Sequence, residues 1–149
     1  MKPLIVLLLV FVITIVTTYF IYSKADIELS GRIAMSIMLL FTSIAHFKFL
    51  KGMQMMIPAF FPAKKFFVLL TGFIEIAAAI GLLIPSTIKI TGILLIIFFI
   101  LILPANINAA IRKIDYEKAD YNGKGKNYLW FRIPLQLFFI CWIYFFSIK

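Results

Sequence analysis

A single cysteine, Cys141, and a single histidine, His46, occur among 149 residues. One thiol excludes an internal disulfide, a CxxC relay and a cysteine-based zinc site within the chain. With no second histidine or thiol at ligand spacing, neither a metal nor a haem has a donor set. Acids are scarce as well, six against fifteen lysines and arginines, for a net charge of +9. The basic residues flank apolar runs and form no aromatic-interleaved surface, which argues against a nucleic-acid partner and for membrane topology. Long polar stretches are also missing: 64% of the chain is hydrophobic and 17% aromatic. Crossing a bilayer takes about 20 residues per span, so little chain remains for a separate soluble domain.

Five apolar runs fill that space: Leu4–Tyr22, Arg32–Phe49, Phe66–Ile84, Ile88–Ile111 and Leu129–Ile148. Backbone polar groups in lipid must be satisfied within the segment, and the strict alternation of barrel strands is absent, so each run reads as a helix. The fold class is therefore all-α, an integral membrane helical bundle in the lipid bilayer. The first run follows Lys2 and precedes Ser23-Lys24-Ala25, a pattern shared with signal peptides. At nineteen residues it exceeds the roughly 7–15 of a signal-peptide core, and a retained helix is expected. With five crossings, eleven of the fifteen basic residues gather on one side, which places the amino terminus in the cytoplasm and the carboxyl terminus outside.

The connections carry further expectations. Pro85-Ser86-Thr87 is so short that the third and fourth runs should form an adjacent antiparallel hairpin. Gly52–Pro62, rich in Met and Phe but broken by proline, reads as a membrane-surface anchor or a lid over a lipid-side entrance. Arg112–Lys126 reads as a solvated cytoplasmic linker. The aromatic residues of the last run, Trp130, Trp142, Tyr144, Phe145 and Phe146, read as interface anchors, and Cys141 as a small lipid-facing or packed residue.

One acid stands apart. Glu75 is the only charged residue in Phe66–Ile84, nine residues past Phe66 and about 14 Å deep. An acid at bilayer depth is costly and marks a functional position by default, although the same group can serve as an interhelical bond or an Arg132-paired lock. Gln136 lies about 10 Å deep with Arg132 one turn above it; Thr42 and His46 are one turn apart on the second run. Asn106 follows Pro104, whose missing N–H loosens the fourth run near Asn106 and Asn108. All six, Glu75, His46, Asn106, Arg132, Gln136 and Thr42, are expected to converge in the inner half of the bundle as the polar core and candidate ligand site. Thr71, Gly72 and Glu75 share a face, and Gly72 permits close approach by a neighbouring helix.

The sequence resembles the DoxX-like family of small membrane proteins through Arg32-Ile33 and Ser43-Ile44-Ala45-His46-Phe47, through Met56-Ile57-Pro58, Pro62 and Thr71-Gly72-Phe73-Ile74-Glu75-Ile76, and through Leu103-Pro104-Ala105-Asn106-Ile107. The resemblance runs from about Gly31 to Ile148. It implies a four-helix core over residues 31–149, with residues 1–30 supplying an additional amino-terminal transmembrane helix and an outer loop, in a bacterial cytoplasmic membrane. It further implies Glu75, His46 and Asn106 as the polar positions, and a role as an accessory subunit of a membrane redox system binding a quinone-like or other apolar ligand near Glu75. The alternative is a non-catalytic chaperone or assembly factor for a membrane protein partner. The lone Cys141 departs from any thiol-disulfide role. A transporter is disfavoured, because no inverted repeat is present.

Overall fold

The structure, a computed structural model, describes residues 2–149, and its regular elements are helices. Six helices follow in order: α1 (Lys2–Tyr22), α2 (Ile27–Lys48), α3 (Leu50–Met56), α4 (Lys64–Gly81), α5 (Ile88–Ile111) and α6 (Leu129–Ile143), the last closing in a wide turn over Tyr144–Ile148. Among the described residues there is no strand, only one antiparallel bridge between Asp115 and Asp120. Four stretches are long and apolar enough to cross a membrane: Lys2–Tyr22, Ile27–Lys48, Ile88–Ile111 and Lys126–Ile148. The remaining expected crossing folds as α4, which begins at Lys64 and thus carries Lys64, Lys65 and Glu75 within eighteen residues.

The α1 hydroxyls show how polar side chains are tolerated in an apolar helix. Thr14, Thr17 and Thr18 each bond back to a carbonyl of the preceding turn, on Val10, Ile13 and Ile15 respectively. A four-residue link then reverses the chain. Asp26 caps α2 by accepting from the Leu29 amide at 2.9 Å, and its own amide donates to Thr18 Oγ1. Because of this cap α2 starts at Ile27, so a boundary between residues 30 and 31 falls inside its first turns.

In lipid, burying apolar surface against protein gains little over burying it against acyl chains, so close packing and interhelical hydrogen bonds must hold a bundle. The buried residues of α2 fit that need, being small or pliable: Ser30, Gly31, Ala34, Met35, Ser36, Met38, Leu39 and Ser43. They let α2 lie along α1 on one side and α4 on the other. α1 joins the same core, with Leu7 at 0% exposure and Phe11 edge-on to Trp142.

Several connections differ from the sequence expectation. The α4–α5 hairpin forms, tied by Thr87 Oγ1 donating to the Gly81 carbonyl at 2.9 Å, yet α4 packs along α2 far more than along α5. The short α3 packs against both α4 and α5, with Met56 buried and its carbonyl accepting from Asn108 Nδ2 at 2.7 Å. Arg112–Lys126 is not a plain linker. Asp115 Oδ1 accepts from the Glu117 and Lys118 amides, Gly123 donates to the Lys113 carbonyl, and Ile114 is buried with Met56 and Ala109. Lys2 reaches across to this loop and bonds Glu117 at 2.7 Å. An acidic turn residue and one apolar anchor suffice to order a loop that composition alone makes look solvated.

The aromatic residues of the last crossing also divide. Trp130 is 86% exposed, as an anchor should be. Trp142 instead lies inside the bundle and donates from Nε1 to the Gly31 carbonyl at 3.0 Å. Without a side chain at Gly31, α2 leaves room for the Phe146 ring, which stacks at 4.8 Å on the indole. Arg32 Nη1 donates to the Phe146 carbonyl at 3.2 Å, in the wide turn that ends the chain.

Candidate functional site

Two helices bring Glu75 and His46 together. On α4, Gly72 is the point of closest approach: a Cβ there would stand 3.0 Å from the Cβ of His46 on α2. That contact lets the α2 and α4 backbones near each other, and one turn along α4 Glu75 extends to the imidazole. Glu75 Oε1 stands 3.5 Å from His46 Nε2, and His46 Nδ1 lies 3.1 Å from Thr71 Oγ1. Glu75 is 4% exposed, whereas His46 is only half-buried.

The proton positions follow from the bonding pattern. Thr71 Oγ1 donates back to the Val68 carbonyl at 2.8 Å. Its single proton being used there, the hydroxyl accepts from His46 Nδ1–H. Nε2 then faces Oε1 with room for one proton between them. The other carboxyl oxygen, Glu75 Oε2, is buried and has no hydrogen-bond partner among the described residues.

A second polar pair joins α5 to α6. Asn106 Nδ2 donates to Gln136 Oε1 at 3.1 Å, and Gln136 Nε2 donates to the Phe99 carbonyl. Pro104, inside α5, has no N–H to give to Ile100, so this part of the helix is short of internal donors. Both amides are buried.

The six expected polar-core residues therefore do not share one centre. Glu75 and His46 meet on α2 and α4; Asn106 and Gln136 meet on α5 and α6, and no hydrogen bond links the two pairs among the described residues. Thr42, one turn from His46, bonds back to the Met38 and Leu39 carbonyls of its own helix. Arg132 forms no ion pair with Glu75; its guanidinium lies over the Tyr128 ring, 5.9 Å from the centroid. Thr71 is the partner that the sequence reading grouped with Glu75 only as a packing surface. Its spacing of four residues from Glu75 was the available signal, since it puts both on one face.

Two recesses open between helices, and neither is lined by Glu75. One of about 90 Å³ lies between α5 and α6 beside Gln136, and one of about 410 Å³ lies between α1 and α6. In the loop beyond α5, burial and then the Glu117 carboxylate push the Tyr116 phenol up from its usual range, so it stays a hydroxyl donor at neutral pH.

A family described as a domain of unknown function (DUF8561) matches residues 35–147, from within α2 to the final turn. No curated protein and no solved structure matches the chain.

Proposed function

Since the chain belongs to the DUF8561 family, whose description assigns no activity, we propose a function from its residues: a small membrane protein that binds an apolar ligand with a hydrogen-bonding head group, quinone-like in chemistry, beside Glu75. In this reading it is an accessory subunit of a membrane redox system, as the DoxX-like resemblance of its Thr71–Ile76 and Leu103–Ile107 stretches implies. Glu75 Oε2 carries the reading. A buried carboxyl oxygen without a donor costs free energy that a ligand hydroxyl would recover. His46 faces Oε1 as the partner for a proton on that carboxyl, and Thr71 holds the imidazole in register. Asn106 and Arg132 take no part, being engaged elsewhere.

The proposed topology has five crossings, α4 included, with the amino terminus in the cytoplasm of a bacterial cell and the carboxyl terminus outside. The gathering of eleven basic residues at the inner ends supports it.

The tight α2–α4 contact at Gly72 favours a second reading, in which the Glu75–His46 pair only locks the bundle and the chain is an assembly factor for another membrane protein. Native mass spectrometry on wild type and Glu75→Gln, with extraction of co-purifying small molecules, separates the two. A ligand carried by wild type and lost from a folded Glu75→Gln is the expected result. An empty pair, with crosslinks to one membrane partner retained in the variant, overturns it in favour of the assembly factor.

A further inference from the structure

Neither recess reaches Glu75, so a ligand there needs an opening that the structure holds shut. The exposed flank of α4 does not offer one. At about 100° per residue, Phe73 points about 160° away from both Thr71 and Glu75, and Phe66 and Ile80 are exposed on the same side as Phe73. His46 gives the direction instead. It lies seven residues from Leu39, two turns along the same face of α2, and Leu39 is fully buried. His46 is nevertheless only half-buried. Standing two residues from the end of α2 at Lys48, it is exposed through the end of the bundle rather than through its side.

That end is where α3 lies. The Pro85-Ser86-Thr87 turn joins α4 to α5 at their other ends, and α3 packs on both helices. Asn108, in the last turn of α5, donates to the Met56 carbonyl at 2.7 Å. No helix continues α3 on either side: Phe49, with φ −109° and ψ 32°, separates it from α2, and residues 57–63 separate it from α4. Phe49 is three residues beyond His46, so a swing of α3 pivots beside the imidazole. Few contacts hold the segment in place. Besides the Asn108 bond, Gly52 lies so close to the loop that a Cβ there would overlap the Tyr116 carbonyl. Phe49 meets the Tyr116 ring edge-on at 6.0 Å, and Met56 packs with Ala109 and Ile114.

We infer that α3 is a hinged lid on this end of the bundle, and that the head group of the Glu75 ligand passes it to enter between α4 and α5. The inference rests on the reading of Glu75 as a ligand site and adds the way in. Gly52 and Asn108 form the latch, one by letting α3 close down on the Tyr116 backbone and the other by tying its last carbonyl to α5. Only Gly52 and Met56 of the seven residues in α3 are buried. A segment so lightly held opens locally at lower cost than the long helices around it.

The test uses the full chain in neutral detergent and needs no ligand, because His46 is the only histidine and its ethoxyformylation by diethyl pyrocarbonate can be timed by mass spectrometry. Hydrogen exchange over Leu50–Met56 is followed in parallel. Asn108→Leu is expected to speed both by about fivefold, the equivalent of one hydrogen bond, with exchange in α2 and α6 unchanged. Gly52→Ala, which forces α3 off the Tyr116 carbonyl, should speed both by more; Asn108→Leu carries the test if that variant does not fold. Phe73→Ala, on the opposite side of α4, should leave the His46 rate as it is. The lid is overturned if neither latch variant loosens α3, if α3 loosens while His46 reacts no faster, or if Phe73→Ala speeds the reaction as much as Asn108→Leu. An empty wild type in the extraction experiment would instead overturn the ligand reading, and the His46 rates would still decide whether α3 covers that residue.

Discussion

The α5–α6 seam and the α2–α4 seam each bury polar side chains between apolar helices, but they finish the task differently. Between α5 and α6 the Gln136 amide is engaged at both ends, its oxygen by Asn106 and its nitrogen by the Phe99 carbonyl. Between α2 and α4 the bonds stop short: Glu75 Oε2 has no partner among the described residues. A closed amide bond holds helices together and has nothing left to offer. An unfinished one retains capacity for a further donor, at a cost to stability. The two seams thus separate a structural use of buried polarity from a chemical one.

Five substitutions, two of them combined, sharpen or break that contrast. The largest effect is expected from Gly72→Val, which drives a branched side chain into His46 and parts α2 from α4 at a cost of about 3 kcal/mol, read by reversible unfolding in mixed micelles. Gln136→Leu comes next: it strands the buried Asn106 amide and should cost about 2 kcal/mol in the same assay, while Asn106→Leu combined with Gln136→Leu recovers more than half. Glu75→Gln should shift stability by less than about 1 kcal/mol, because the seam it leaves was never fully bonded. A loss as large as that of Gln136→Leu would erase the distinction between the seams. Smallest of all, Lys2→Gln removes an exposed ion pair to Glu117 and should leave the unfolding midpoint unchanged.

Much of the architecture was legible because hydropathy and length decide it in lipid. Ile88–Ile111 matches α5 at both ends, and Leu4–Tyr22 is extended by only two residues in α1. The start of α2 was placed too late because Arg32 opens the apolar run, whereas Asp26, a side-chain cap, opens the helix. For the polar residues, depth was readable and neighbourhood was not. The rise per residue puts Glu75, His46, Asn106 and Gln136 in one half of the bundle, but which helix lies beside which depends on packing. Small residues on α2 draw in α4, and α5 is left to pair with α6. Arg132, read as one candidate partner for Glu75, instead lies over the ring of Tyr128, four residues earlier in the chain.

The two tryptophans sit in opposite surroundings, Trp130 facing outward near the start of α6 and Trp142 bonded to the Gly31 carbonyl within the bundle. Their emission should consequently be separable by a brominated lipid, which quenches Trp130 by collision while sparing Trp142. The remaining signal would report on the seam between α2 and the end of the chain, giving the molecule a built-in optical gauge of its own packing without an added label.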